Sequence, residues 1–591
     1  MREELAGRPA NETLGQVLER AAGCGRGIRF VDRSERASFH SYEELYEGAR
    51  RIAGGLHALG LRRGDRVALV LPTSPAFCES FFGAVLAGMV PVPLYPPVRL
   101  GRLAEYHADT ASMLVRCGAR LVVTDRRLRR LLGRTIARAR PDFGCLTVED
   151  MPRRRARPDE CSAGEPAFIQ FSSGTTAVPK PIRLTHRNVL TNAGAVQSAI
   201  ISAYPEGPGL THAGVGWVPL YHDMGLVGCV ITAIMHPADL TLIPPEVFVS
   251  RPAIWLRTIS RYRGTVSPAP NFAYALCADR IRDEELDGVD LSCWRVALNG
   301  AEPVTPSVLQ RFIRRFAPFG LRASALTPVY GLAEATLAVT FGDLRAPFAW
   351  ESFDRQALEA EGTARPAAGG VPLVSVGRPL PGLAIRIVDD RGEEVAAERV
   401  GRVLVRGEAV MQGYHEMPEE TAAVLRAGWL DTGDLGFMHD GRLFLHGRRK
   451  DMIVVRGRKY PPQLIEQCLD PLDGVRKGCV AALGVVPENS DGEQLVVLIE
   501  RARSAAPDDE SLADAATRRI ALHTGLVPAQ VVVLEPGTLP RTSSGKIRRA
   551  EARRRHLAGT LRPPRRAGRF TLLREMAVST LREAIARRGG V

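Results

Sequence analysis

Strand and helix patterns alternate through several hundred residues of this chain, and that alternation limits the folds open to it more than any other feature. Residues 65–94 read as one βαβ unit. Residues 66–71 form a short apolar strand, Ser74 and Pro75 suit an N-cap and first helical residue, a helix runs to about Gly88, and 90–94 make a second strand. Further buried strands are expected at 121–123 and 294–298. The pattern predicts an α/β fold with a largely parallel sheet. In such sheets ligands bind at the loops leaving the carboxyl ends of the strands.

At 591 residues the chain is longer than one hydrophobic core normally serves, so at least two domains are expected. After about Arg448 the alternation gives way to a smaller α+β pattern, with strands expected at 479–486, 493–500 and 530–535. From His556 a linker leads to an amphipathic helix carrying Leu572, Leu573, Met576, Leu581 and Ile585. Residues 152–165 and 357–370 read as linkers or exposed loops. No stretch approaches the roughly 20 apolar residues of a membrane span. The longest apolar run, 226–235, ends at His236 and reads as a buried strand or helix. The first residues lack a signal-peptide pattern, so a cytoplasmic enzyme is the expectation.

The ten cysteines are scattered, with no pair at metal-ligand or redox spacing. A net charge of +14 invites a nucleic-acid reading. The basic residues are spread along the chain, however, and no zinc-finger, RNP or basic-zipper pattern accompanies them. The densest cluster, Arg553 to Arg555 with Arg562, Arg565, Arg566 and Arg569, fits a docking surface for an acidic partner equally well. Of 79 basic residues only five are lysines: Lys180, Lys450, Lys459, Lys477 and Lys546. Each lysine therefore marks a place where a compact ammonium on a flexible stem could matter.

The first chemical motif is FIQFSSGTTAVPK, residues 168–180. An apolar strand empties into small hydroxylated residues around Gly174, whose hydroxyls and N–H groups could wrap a polyphosphate, with Lys180 adding a charge. It lacks the Gly-Lys-Ser/Thr ending of a Walker A loop, and alone it could be a solvated turn. Six other segments accompany it: WVPLYHDMG (217–225), NGAEP (299–303), VYGLAEAT (329–336), WLDTGD (429–434), GRRKD (447–451) and PRTSSGK (540–546). Together and in this order they resemble the adenylate-forming superfamily of acyl-CoA synthetases, luciferases and peptide-synthetase adenylation domains, over about residues 15–550.

That resemblance implies a large multi-sheet N-terminal adenylation domain (1–447) hinged to a smaller mobile α+β domain (448–555) that carries a catalytic lysine. Residues 556–591 are left as linker and C-terminal helix. It implies ATP and Mg²⁺, with a phosphate loop of Ser172, Ser173, Gly174, Thr175, Thr176 and Lys180. The adenine and metal segments become Gly300, Ala301, Glu302, Tyr330, Gly331, Ala335 and Thr336, with Glu334 as metal ligand. Asp434 and Arg448 fall to the ribose and phosphate, Lys450 to the hinge, and His222 and Lys546 to catalysis. Taken singly, His222 could be a core histidine, Tyr330 simple packing, and the carboxylates and Lys546 solvated surface groups. The chemistry agrees with the resemblance nonetheless. A carboxylate attacking phosphorus is already ionised at neutral pH, so positioning and cationic stabilisation matter more than a general base. Ala177, Pro181 and Ala333 depart from the superfamily's usual glycines and threonine.

YGLAEATL (330–337), SPAPNFAY (267–274) and an insertion over about 341–375 look more like the fatty acyl-AMP ligase branch. That branch implies delivery of a fatty or related acyl group to the phosphopantetheine thiol of an acyl carrier protein. An acyl-CoA synthetase is the runner-up, and a catalytically silent adenylate- or carrier-binding scaffold the reading from another class. Neither nucleic acid nor a membrane span enters the reading.

Overall fold

A computed structural model describes residues 11–97, 100–172, 179–487, 492–502, 508–542 and 545–564. Two blocks of parallel sheet dominate. The smaller has the strand order Val90–Pro93, Arg66–Val70, Ala119–Thr124, Cys145–Thr147, all parallel. Its first crossover helix, Pro75–Leu86, starts where the sequence predicts. Ser74 Oγ accepts the Phe77 N–H at 3.3 Å, and Pro75 occupies the first turn, where a missing N–H costs nothing. The helix is buried on nearly every side, which is why its apolar pattern has no clear face.

The larger block is a fifteen-stranded sheet. Six of its strands run parallel, Gly27–Val31, Asp239–Leu242, Ala213–Gly216, Val266–Pro270, Val296–Gly300 and Leu326–Gly331. Past Leu326–Gly331 the sheet turns antiparallel, through Ala338–Phe341, Val371–Pro379, Arg442–Arg448 and Trp429–His439. The apolar run at 226–235 is helical. It begins with a wide turn, Leu226–Ile231, and packs between the sheet and the helix His186–Ala203.

Beyond Arg448 the chain builds a separate three-stranded sheet from Val475–Val485, Gln494–Arg501 and Gln530–Leu534. Its core, including Ile465, Leu469, Val497, Leu512 and Ile520, is its own. The helix expected over 570–591 lies outside the described residues. Among those described, no helix is long and apolar enough to cross a membrane. None of the ten cysteines is in a disulfide, and most of them are buried.

The 357–370 segment departs from expectation. In place of an exposed loop, Ala357–Glu361 forms a short wide helical turn with Ala357, Leu358 and Glu359 buried. The reason is tertiary. Leu358 joins Phe353, Val371, Phe437 and Phe444 in one cluster, with Leu464 of the helix Pro462–Leu469 packed against it. The Phe353 ring sits edge-on to Phe437 and Phe444, at 5.0 and 5.4 Å. The insertion thus bridges the main sheet and the residues that follow Arg448.

Burial beneath this bridge pushes the Glu359 carboxyl up to about 7, against the pull of Arg355 and Arg458. A raised folded value means that the native state holds the proton more tightly than the unfolded chain. Stability from this group is therefore complete below the ordinary carboxyl range and is lost as pH rises towards 7. Glu359→Gln is expected to raise the thermal midpoint at about pH 8, by an amount equivalent to at most roughly 3 kcal/mol, and to leave it unchanged at about pH 4. Thermal unfolding of both proteins across that range measures it.

Candidate active site

The parallel strands of the main sheet end on one cleft. Ala213–Gly216 leads into Trp217 and His222, Val266–Pro270 into Phe272, Val296–Gly300 into Ala301 and Glu302, and Leu326–Gly331 ends on Tyr330 and Gly331. The cleft measures about 3080 Å³, several times the roughly 300–1,000 Å³ of a single small-ligand pocket. It has room for two substrates and a path between them.

One wall is held by a three-residue network. The Tyr330 hydroxyl donates to Asp434 Oδ2 at 2.6 Å, and Arg448 Nε donates to Oδ1 at 3.0 Å. Strand register places this pair, because Asp434 lies directly opposite Arg448. Asp434 holds the Arg448 guanidinium above its ordinary value, and burial pushes the Tyr330 phenol well up. Tyr330 therefore uses its hydroxyl on Asp434 here, while its ring remains a wall of the cleft.

The backbone around this wall is unusual in ways that fit a ligand. Thr336 has φ +70° and ψ −57°, closing a γ-turn in which Leu337 N–H bonds Ala335 C=O at 2.9 Å. Such a turn is strained for a β-branched residue. Thr336 Oγ1, fully buried, holds it by donating to Ala409 C=O at 2.7 Å. Ala301 is also left-handed, at φ +65°. Gly331 has no room for a side chain, since a Cβ there would lie 1.7 Å from Leu337 O. Only glycine allows so close a backbone approach.

Glu334 follows Gly331 by three residues. Burial pushes its carboxyl up, and Tyr414 donates to it at 3.1 Å. Lys180 Nζ lies over the same Tyr414 ring, 4.6 Å from its centre. The mouth of the expected phosphate loop is closed by Ser172 N–H to Lys180 C=O at 2.9 Å and Lys180 N–H to Ser172 Oγ at 3.1 Å. Ser173, Gly174, Thr175 and Thr176 lie outside the described residues.

Lys546 reaches this cleft from the far end of the chain. Its loop is tied by Thr542 N–H to Lys546 C=O at 2.8 Å and Lys546 N–H to Thr542 Oγ1 at 3.0 Å. Burial and the nearby Arg448 push its ammonium below the ordinary lysine value, against the pull of Asp223, Glu302 and Asp434. His222 caps the short helix Asp223–Gly225, and its Nδ1 lies 2.6 Å from Asp223 Oδ1. Burial raises the Asp223 carboxyl, but His222 and Lys546 outweigh it and leave it below its usual range. Glu302, pushed up by burial, accepts the Phe272 N–H. Lys450 stands exposed in the turn between Arg442–Arg448 and Ile453–Val455.

The AMP-binding enzyme family model matches residues 18–415. The chain belongs to the AMP-binding enzyme family. Its fold superposes on a solved fatty acyl-adenylate ligase, from work on the E. coli and L. pneumophila enzymes, with a TM-score of 0.87 and 34% identity over 93% of this chain and 98% of that one. The 4-hydroxyphenylalkanoate adenylyltransferase of Mycobacterium tuberculosis is 33% identical, over 84% of this chain and 82% of its own length. The medium-chain-fatty-acid–acyl-carrier-protein ligase JamA of Moorena producens is 33% identical, over 88% and 90%.

In this AMP-binding enzyme the cleft also has an apolar arm. Trp217 stacks on Phe248 with centroids 3.9 Å apart and meets Phe272 edge-on at 5.9 Å. Leu298, Leu337 and Phe341 line the same cleft. Tyr414 and Asp223 are site residues that the motif reading did not single out. Asp223 sat inside a quoted motif beside His222, while Tyr414 lies in the two-residue strand Gly413–Tyr414, which pairs with Pro181–Thr185.

Two outcomes test the geometry. Asp434→Asn removes a buried charged acceptor shared by two donors, and is expected to raise KM for ATP about 10- to 100-fold. In steady-state adenylation, the alkaline limb of kcat/KM is expected below the ordinary lysine range, because the free enzyme's Lys546 loses its proton early. Lys546→Ala should show no such limb.

Proposed function

We propose that the chain activates a fatty or related carboxylic acid with ATP, releasing pyrophosphate, and passes the acyl group to the phosphopantetheine thiol of an acyl carrier protein. The observation that carries the first half is the cleft itself. A half-buried lysine from the last segment meets a nucleotide wall of Tyr330, Asp434 and Arg448 beside an apolar arm.

In the first step a carboxylate oxygen attacks the α-phosphorus and pyrophosphate leaves, giving acyl-AMP. The substrate carboxylate is ionised at neutral pH, so no side chain need remove a proton. Lys546 offers a cation to the carboxylate and the α-phosphate together, in a site where desolvation strengthens its field. Asp434 can accept the ribose hydroxyls once Tyr330 or Arg448 yields, and His222, anchored by Asp223, borders the carboxylate. The Glu334 carboxyl, buried and carrying one hydroxyl donor, suits Mg²⁺, which takes one or two carboxylates and fills its shell with phosphate and water. The ion would neutralise phosphate charge there.

In the second step the thiol sulfur attacks the acyl carbon, AMP departs and the thiol proton leaves to solvent. Support for a carrier as acceptor comes from the likeness to JamA and from the insertion packed against the helix Pro462–Leu469. We further propose that rotation about Lys450 withdraws Lys546 between the steps.

Removing the Lys546 cation costs about 3–4 kcal/mol of transition-state stabilisation, roughly a 10²- to 10³-fold loss of acid-dependent ATP–pyrophosphate exchange, in Lys546→Ala. The same variant should still transfer from pre-formed acyl-AMP. Lys450→Pro should do the reverse, sparing exchange and impairing transfer, and equal loss of both would sink the hinge. Supplying wild-type enzyme with CoA or holo-carrier protein decides the acceptor, since rapid acyl-CoA formation would contradict the carrier reading.

A further inference from the structure

The helix Arg126–Ala139 is electrostatically frustrated. Its sequence, RRLRRLLGRTIARA, contains no acid, and Arg126, Arg127, Arg129 and Arg130 crowd its first five residues. A helix N-terminus is the positive pole of the macrodipole, where cations are unfavourable. Asp125 caps the helix by accepting the Leu128 N–H at 2.7 Å. Asp150 is shared between Arg126 and Arg129, both at 3.3 Å, and is itself largely solvated. Arg127 and Arg130 are exposed and have no ion-pair partner among the described residues.

This charged face is not remote from the chemistry. Arg126, Arg127 and Arg130 line the same cleft that continues past Tyr95 to Lys546. The helix Arg549–Leu557 is tied by Arg548–Asp109 and Arg555–Glu105 to the helix Leu103–Arg116, which packs on Arg126–Ala139. It lines the same cleft with Arg553, which is exposed and meets the Gly484 carbonyl at 3.4 Å, with no carboxylate among the described residues. The arginines around it are already paired. Arg548 holds Asp109 at 3.4 Å, Arg555 holds Glu105 at 3.1 Å, and Arg554 holds Glu551 at 2.7 Å. Within the described part of the cluster conspicuous in the sequence, Arg554 and Arg555 are therefore already paired, whereas Arg127 and Arg130 on the helix Arg126–Ala139 have no ion-pair partner among the described residues.

We propose that Arg126, Arg127, Arg130 and Arg553 form the docking surface for the acidic face of the acyl carrier protein, aiming its phosphopantetheine arm into the cleft. The inference rests on the proposed acceptor and adds where that acceptor lands. Four exposed guanidinium groups spread over two helices suit several carboxylates on a protein surface. A phosphate would instead be held by convergent, desolvated donors. Such a surface acts mainly on association, and its effect is screened by salt.

The test compares wild type with an Arg126→Glu/Arg127→Glu/Arg130→Glu variant and with Arg553→Glu. Acyl transfer is measured to an acidic holo-acyl carrier protein, to pantetheine and to CoA, with acid-dependent pyrophosphate exchange as the check on folding and adenylation. Exchange should stay within about twofold, and transfer to pantetheine should be unchanged. KM for the carrier should rise at least about tenfold in the triple variant, and the wild-type KM should climb more steeply than the variant's between about 50 and about 300 mM NaCl. A milder Arg127→Gln/Arg130→Gln variant should fall between the two. An unchanged carrier KM, or a loss confined to CoA, would overturn the surface while leaving the carrier reading standing. Wild-type enzyme that acylates no carrier would remove the acceptor reading and this surface with it.

Discussion

The Asp434–Arg448 pair is the contact on which the rest of the site depends. Asp434 sits in an interior strand and Arg448 is the last residue of its neighbour, so sheet register fixes both. Tyr330, from a third strand, completes the group through the second carboxylate oxygen. Arg448 is also where the main sheet ends and the chain turns towards the segment carrying Lys546. The Tyr330–Asp434–Arg448 wall of the cleft and the exit to the smaller sheet are therefore one piece of structure. Arg448 depresses the Lys546 ammonium as well, so one guanidinium both bonds Asp434 and acts on the lysine.

What keeps Lys546 in the cleft is a different kind of contact. Arg548 pairs with Asp109, Lys477 with Asp279 at 2.9 Å, and Arg102 donates to the Gly537 and Thr538 carbonyls at 2.6 and 3.0 Å. The exposed Lys477–Asp279 pair contributes about 0–1 kcal/mol, and the partly buried Arg548 and Arg102 contacts are few. They can hold one arrangement and release it cheaply, as a two-step ligase would need. Arg549, with Glu466 and Asp451, is more buried and belongs to the segment that would move as a unit. The apolar contact between Leu464 and the Phe353 cluster is the part of the seam that resists release.

Much of the scaffold was legible in the sequence because parallel strands buried on both faces must be continuous apolar runs. The strands Arg66–Val70, Val90–Pro93 and Ala119–Thr124 and the Ser74 cap were readable for that reason. The strand predicted at 294–298 begins two residues later, because Trp294 turns its ring into the aromatic core ahead of the sheet. The 357–370 segment misled because its burial depends on Phe437 and Phe444, some eighty residues away, and its composition carries no trace of them. Tyr414 was invisible for the same reason, since its hydroxyl meets Glu334 eighty residues earlier. The arginine pattern was legible only in outline, because charge density in sequence says nothing of which guanidinium groups are already paired, as Arg554 and Arg555 are and Arg553, among the described residues, is not.

The central claim is that this cleft joins a carboxylate to the α-phosphate of ATP. A single-turnover reaction with enzyme in excess over α-labelled ATP, a fatty acid and no thiol tests it most directly. The account predicts that the label appears as acyl-AMP in step with released pyrophosphate, and only when the acid is present. Label appearing as AMP or ADP at a rate independent of the acid would contradict it.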